Sequence, residues 1–452
     1  MTKATLPTRR RTQMVVIENF GSCNMRCAYC FPEHMWSRDG HGGVMHDDTL
    51  RDSLERAFEA PSPEPVDIHL AGGEPLLAGR RWLEAAFALA RDAARRHGKD
   101  VTFSMQTNAT MVTPDLAQLL ADNRVRVGVS LDGDESINEA VRGHTAQTRE
   151  GFRLLTEAYG ETPGVIVTVT RVNALRMAEV VAHLESMDVA LFRANQMGAT
   201  ASWNVAAAPR SEEWAAARQT IVEETAARDG RILEFNTSQS VTKLVSALLG
   251  GLDPFGAPRG CCAMRCPAGT ELMYFDRRGD AYPCPRSTVT PEARVAHVAD
   301  PEFDELWDAA LDRLDAKMKV PESCTGCPAQ VACDYGCHAF NVAEGNFFEV
   351  NCDASKTFFG WAQDHLDTVA RVFLLGRVRE QHRATGDREA VRQGVTLPAA
   401  QVAALTSQLE RGLTAHLATP GIDPSRLEQR YGWRDDLVPL LQITRRRVEA
   451  QG

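Results

Sequence analysis

The chain has 452 residues, 44% of them hydrophobic and 24% charged, and a formal charge of -10, so it can bury the cores of two or three domains. The acidic balance argues against a nucleic-acid partner, which would need clustered Lys and Arg, and Arg9 to Arg11 and Arg445 to Arg447 read as solvated ends. No apolar run is long enough for a membrane span and none follows the basic N-terminus as a secretory signal would, so a cytoplasmic location with no membrane partner is expected.

Extended runs at 14–19, 66–70, 101–106, 125–131, 164–170 and 189–194 alternate with helical patterns at 47–60, 79–97, 114–122, 148–159 and 174–187, and another helix follows at 211–228. This alternation predicts an α/β fold, a parallel sheet covered by helices and curled into a partial (β/α)6 barrel over 14–204, after a short arm at 1–13. Thr113 before Pro114 supplies an N-cap and a proline at the first helical position. A helical bridge is predicted at 205–258 and a small cysteine-rich domain at 259–355. Within that domain 271–275 and 280–283 read as a β-hairpin that leads into Cys284, and 356–452 reads as a helical extension broken at 419–421.

The first strand runs directly into Cys23-Asn24-Met25-Arg26-Cys27-Ala28-Tyr29-Cys30. Active sites of such sheets lie at the carboxyl ends of the strands, where this loop falls. A four-iron cluster is usually held by four thiolates, so three cysteines leave one iron open to a small molecule. A zinc loop is the alternative that the residues alone allow. The spacing resembles the signature of radical S-adenosylmethionine (SAM) enzymes. That resemblance implies a [4Fe-4S] cluster on Cys23, Cys27 and Cys30, with SAM completing its coordination and yielding a 5′-deoxyadenosyl radical.

After the second strand come Gly72, Gly73, Glu74 and Pro75, a glycine pair that allows close backbone approach, followed by a carboxylate. As a tetrapeptide it could equally be a tight βα turn, but in this position it resembles the GGEP motif that lines the amino end of SAM. Gln106 and Asn108 end the third strand and Ser130 the fourth; the resemblance assigns all three to SAM and places Tyr29 beside the adenine. It also implies an Arg for the SAM carboxylate, for which Arg142, Arg149 and Arg153 are in range and Arg142 is taken.

A second cysteine set follows. Cys266, Gly279 and Cys284 precede a block of Cys324, Cys327, Cys333 and Cys337, then Cys352, with the adjacent pair Cys261 and Cys262 upstream. The order resembles the SPASM domain, which carries two auxiliary [4Fe-4S] clusters with crossed ligands. The resemblance assigns Cys266, Cys284, Cys337 and either Cys261 or Cys262 to one, and Cys324, Cys327, Cys333 and Cys352 to the other. Three clusters then use eleven of the twelve cysteines. Paired zinc sites are the structural alternative. His297 and the helix opening at Phe303 to Trp307 match the same domain, with His297 in a structural role.

Two fully ligated clusters suit a net oxidation, because a substrate radical must pass on an electron. The expected activity is a radical SAM oxidoreductase and maturase that crosslinks, or oxidises a carbon of, a ribosomally made precursor peptide in natural-product biosynthesis. A flavodoxin- or ferredoxin-type donor would supply electrons. A dehydrogenase or epimerase of a small-molecule alcohol such as an aminosugar or aminocyclitol is the second reading, and a zinc or electron-carrier protein the third. Sulfatase-maturing relatives place an Asp after the cysteine matching Cys284, where this chain has Pro285 and Arg286. The departure argues against formylglycine formation and leaves the base unassigned among Asp134, Glu135 and Asp280.

Overall fold

The structure, a computed structural model, describes residues 10–30, 43–61, 65–197, 206–249, 267–289, 293–317, 326–331, 333, 349–385 and 388–418. The chain divides into two compact units, one of Met1–Arg210, Pro267–Lys317 and His338–Gly345, the other of Ser211–Cys266, Met318–Cys337 and Asn346–Gly452.

In the first unit the strands are β1 (Met14–Phe20), β2 (Val66–Gly72), β3 (Val101–Thr107), β4 (Arg126–Ser130), β5 (Gly164–Val169), β6 (Leu191–Gln196), β7 (Leu272–Phe275), β8 (Asp280–Tyr282) and β9 (Ala296–His297). They lie in the order β9-β8-β7-β1-β2-β3-β4-β5-β6. Pairing is parallel from β7 through β1 to β6 and antiparallel at β7-β8 and β8-β9. The helices are α1 (Asp47–Glu59), α2 (Gly79–Arg96), α3 (Pro114–Asp122), α4 (Glu135–Val141), α5 (Thr145–Tyr159), α6 (Met177–Ser186) and α7 (Phe303–Lys317). All six predicted strands are present, and α3 starts as expected, with Thr113 Oγ1 accepting from Leu116 N at 3.3 Å. The sequence reading missed α4, a seven-residue helix capped by Asp134, which accepts from Ile137 N at 2.9 Å.

Strand parity gives the sheet two unlike faces. One carries Val15, Ile17, Ile68, Leu70, Phe103, Met105, Val129, Val167, Phe192 and Phe275, all buried. Each such side chain contributes about 1.5–3 kcal/mol on burial, which makes this the face that binds the helical layer. The pairings Val16 with His69, His69 with Ser104, and Val16 with Tyr274 set the other face, which carries Glu18, His69, Ser104, Gln106, Ser130, Thr168 and Tyr274. A polar face on a parallel sheet has chemistry to do, because an apolar one would be more stable.

Two expectations change. The predicted hairpin forms, yet its first strand β7 pairs in parallel with β1, Met14 opposite Leu272 through Ile17 opposite Phe275, and so extends the barrel sheet instead of standing in a separate domain. Arg10 is no solvated end: it is fully buried, donates to the Arg56 carbonyl at 2.7 Å, pairs with Asp304 of α7 and lies 5.2 Å from the Phe303 ring centre. Its partners come from three segments, which a local charge count cannot reveal. Arg9, Arg445 to Arg447 and the break at 419–421 lie outside the described residues. Arg10→Ala should destabilise the chain by about 2–4 kcal/mol in urea unfolding, because it strips a buried contact and orphans Asp304.

In the second unit helices Ser211–Ala227, Phe235–Leu248, Glu349–Asp364, Leu366–Thr385 and Ala399–Ala418 share one apolar core around Val222, Val241, Val245, Phe358, Val369 and Leu409. The stretches expected as a bridge and as a C-terminal extension thus bury their apolar faces on each other. No helix among the described residues is long and apolar enough to cross a membrane.

Candidate functional site

β1 ends at Phe20, and the loop bearing Cys23, Cys27 and Cys30 leaves along the end of β2. Gly73 N–H donates to the Phe20 carbonyl and Glu74 N–H to the Ser22 carbonyl, both at 2.9 Å, so the loop is stitched to the glycine pair. There is no space between them: a Cβ on Gly73 would lie 1.8 Å from the Ser22 carbonyl oxygen. Gly72 adopts a φ of 132°, which side-chain-bearing residues rarely reach. Glu74 is buried, and its carboxylate accepts from Thr107 Oγ1 at 2.6 Å, Asn108 N at 2.8 Å and Leu76 N at 3.0 Å. Burial raises its pKa against these bonds. Both oxygens face chain partners, so Glu74 ties the ends of β2 and β3 together. Pro75 begins the 3-10 turn Pro75–Ala78, and its carbonyl accepts from Asn19 Nδ2 at 2.9 Å.

Cys27 is buried and Cys23 and Cys30 are half-buried. Asn108 Nδ2 lies 3.7 Å from Cys23 Sγ and 3.0 Å from Asn24 Oδ1, fixing the start of the loop. Burial pushes the Cys23 and Cys27 thiols up, so their thiolates need a cationic partner. Among the described residues no three His, Cys, Asp or Glu side chains converge as they would on one metal ion. In a four-iron cluster the thiolates attach to separate iron corners, an arrangement three thiols on one short loop can serve.

Tyr29 is held from both sides. Its hydroxyl donates to Asp132 Oδ2 at 2.5 Å and accepts from Arg142, whose guanidinium is 3.7 Å from Asp132 and 5.8 Å from the Tyr29 ring centre. Asp132 also accepts from Thr168 N at 2.7 Å. Burial raises the Tyr29 and Asp132 pKa values; it opposes the Arg142 charge, but Tyr29, Asp132 and Cys27 outweigh it and Arg142 stays protonated. Among the three arginines in range, Arg142 joins the cysteine loop. Arg153 is exposed and pairs with Glu150 at 2.6 Å, and Arg149 is exposed on α5.

Gln106 Nε2 donates to Ser130 Oγ at 3.1 Å across β3 and β4, and Asn108 Oδ1 accepts from Thr110 N at 2.9 Å. The predicted rim residues therefore gather at the carboxyl ends of β2, β3 and β4. Of the candidate bases, Asp134 caps α4, Asp280 pairs with Arg294 at 2.5 Å, and Glu135 is exposed.

Sequence reasoning passed over polar residues inside the strands. His69 Nδ1 lies 2.8 Å from Ser104 Oγ, which donates to Asp67 Oδ2 at 2.6 Å, and Arg126 pairs with Asp67 at 2.8 Å. Burial and the Arg193 and Arg126 charges, against the pull of Asp67, lower the His69 pKa to about 4, so it is neutral at pH 7. Glu18 on β1 is 4% exposed and accepts from the Tyr274 hydroxyl of β7. The available signal was parity: Glu18 and His69 interrupt apolar strands at positions that share one face.

Of the second cysteine set, Cys261, Cys262, Cys266, Cys324 and Cys337 lie outside the described residues. Cys284 follows β8 in the first unit, buried, with its sulfur 3.2 Å from Ser287 Oγ. In the second unit Cys327 packs against the helical core and the buried Lys243 donates to the Cys333 carbonyl. Lys356 senses both Cys352 and Cys327, Cys352 first, and its pKa is raised by them. His297 is structural as expected: its Nε2 lies 2.9 Å from the Arg278 carbonyl.

Residues 19–184 match the radical SAM superfamily. The chain is 23% identical over 378 residues to the cysteine-type anaerobic sulfatase-maturating enzyme of Clostridium novyi (strain NT), covering 79% of this chain and 97% of that protein. To the serine-type anaerobic sulfatase-maturating enzyme of Bacteroides thetaiotaomicron it is 22% identical over 357 residues, covering 72% and 82%. Among solved structures, native anSMEcpe with bound AdoMet and Cp18Cys peptide matches with a TM-score of 0.65 at 22% identity, over 79% of this chain and 99% of that one. Streptococcus suis SuiB bound to precursor peptide SuiA matches with a TM-score of 0.56 at 14% identity, over 75% and 76%. At these identities the structural matches speak for the shared partial-barrel fold.

Proposed function

Starting from a chain whose residues 19–184 form a radical SAM domain, and which is therefore an enzyme dependent on SAM and a [4Fe-4S] cluster, we propose that it oxidises a side-chain carbon of a peptide substrate. The observation that carries this reading is the stitched loop: three cysteines just past the end of β1, on a segment held by backbone hydrogen bonds from Gly73 and Glu74. When bound there, the cluster and SAM supply a carbon-centred radical that abstracts a hydrogen atom.

The chain's own residues do the positioning. Cys23, Cys27 and Cys30 hold the cluster, and Gly72 and Gly73 let backbone approach the SAM amino end. Glu74 and Pro75 set that turn. Gln106, Asn108 and Ser130 offer polar contacts to the remainder, and Arg142 clamps Tyr29 so that its ring can face the adenine. Auxiliary clusters on the later cysteines belong to the same proposal, supported by the order and spacing of those cysteines. A peptide substrate is supported by the sulfatase-maturating relatives, whose alignment spans 79% of this chain; the same relatives favour carbon oxidation over crosslinking. A flavodoxin- or ferredoxin-type donor and a role in natural-product biosynthesis complete the proposal.

The test is anaerobic reconstitution of the full chain with iron and sulfide, followed by SAM, dithionite and cysteine- or serine-containing peptides deuterated at the β carbon. About 12 irons per chain and transfer of deuterium to 5′-deoxyadenosine are expected. About four irons would remove the auxiliary clusters, and deoxyadenosine free of deuterium would remove the peptide substrate. Cys333→Ala should cut product while sparing unproductive SAM cleavage.

A further inference from the structure

An oxidation of this kind releases a proton as well as a hydrogen atom, and Cys284 is followed by Pro285 and Arg286, neither of which can accept it. The carboxylates named from sequence as substitutes are engaged or exposed, Asp134 as the cap of α4, Asp280 in its pair with Arg294 and Glu135 in solvent. We infer that Glu18 of β1 is the base of the reaction, taking the substrate's proton on Oε1 while Tyr274 of β7 holds Oε2. The inference rests on the function proposed above.

Position comes first. Glu18 points from the polar face of the sheet near the carboxyl end of β1, five residues before Cys23. A Cβ on Gly72 would lie 3.2 Å from Glu18 Cγ, so the carboxylate stem runs beside the first glycine of the motif assigned to SAM. A Cβ on Gly21 would lie 2.7 Å from Arg277 Nε, so the turn after β7 covers the entry to the cysteine loop.

Satisfaction comes second. Oε2 accepts from the Tyr274 hydroxyl, whereas Oε1 is buried and accepts no hydrogen bond, with Arg277 3.8 Å away. An acceptor that the protein's own donors leave unfilled is open to a proton donor on a substrate. The groups facing Glu18 are Tyr274, Tyr282, Asp276, Arg277 and Arg278 from the hairpin, and His69, one rung down on β2. Burial raises Glu18 to about 7 even though Tyr274 lowers it, so both protonation states are accessible near neutrality.

The step balances as follows. A substrate carbon bearing X–H, with X oxygen or sulfur, loses its hydrogen atom to the deoxyadenosyl radical. The X–H proton passes to Glu18 Oε1, and the remaining electron leaves to a one-electron acceptor of the iron-sulfur class. A C=X double bond forms where C–H and X–H were broken.

Two measurements test this on the full chain. With the deuterated peptides, Glu18→Gln should still deliver deuterium to deoxyadenosine but lose product about 100-fold or more. Product should rise with pH through about 7 in the wild type. Tyr274→Phe should move that limb to higher pH, because a bond that stabilises the carboxylate is gone. In the metal-free chain, infrared difference spectroscopy should show one carboxyl titrating in that range that Glu18→Gln deletes. Wild-type turnover matched by Glu18→Gln, or no such carboxyl, overturns the assignment alone. Wild type without deuterium transfer overturns the functional reading beneath it.

Discussion

Cys27→Ala should abolish detectable 5′-deoxyadenosine release from SAM and lower the iron content by about four atoms per chain. Cys27 is the buried member of the triplet, and its loop is pinned by Ala28 N–H donating to the Val141 carbonyl at 2.8 Å. Met25 in the same loop and Val141 at the pinning bond are buried as well. Changes that only reorient metal ligands cost about 10–100-fold, and deleting a ligand should exceed that. Electron paramagnetic resonance of the dithionite-reduced protein reads the result directly: the signal that SAM perturbs should vanish while signals of any auxiliary clusters persist. Cleavage of SAM by the variant at a wild-type rate would refute the assignment of the loop.

Gly73→Ala should be almost as damaging, although it removes no ligand. Its Cβ would lie 1.8 Å from the Ser22 carbonyl oxygen and 2.8 Å from Cys23 N, both backbone atoms. Relief requires the cysteine loop to move off β2, and that breaks the Glu74 N–H bond to the Ser22 carbonyl. Overpacking against side chains costs about 1–3 kcal/mol, and against fixed backbone the loss should reach the top of that range or pass it. Urea unfolding of the metal-free chain and iron uptake on reconstitution should fall together. Gly43→Ala is the comparison, since a Cβ there meets nothing within 4 Å, and it should change stability by less than about 0.5 kcal/mol. Equal behaviour of the two variants would mean that the loop does not sit on the glycine pair.

Much of this was legible because it is local. Strand and helix periods at 66–70 and 79–97, the cap at Thr113, the cysteine spacing at 23–30 and the glycine pair at 72–73 each occupy a few neighbouring residues, and short-range sterics or ligand spacing dictate them. Arg10 was misread because its burial depends on Asp304, 294 residues away. The stretches at 211–248 and 349–418 looked like a bridge and a tail because their common apolar core exists only once they meet.

Sequence by itself determined that this chain builds a parallel α/β sheet with a three-cysteine loop after its first strand and a glycine-rich turn after its second, since both depend on contacts within a few residues. Only the tertiary structure decided which side chains share the polar face of the sheet. Glu18 and Tyr274 are 256 residues apart, and they meet because β7 pairs with β1 in the register that sets Val16 opposite Tyr274. A shift of one residue in that pairing would turn Tyr274 to the opposite face, and the local sequence of neither strand names the other as its partner.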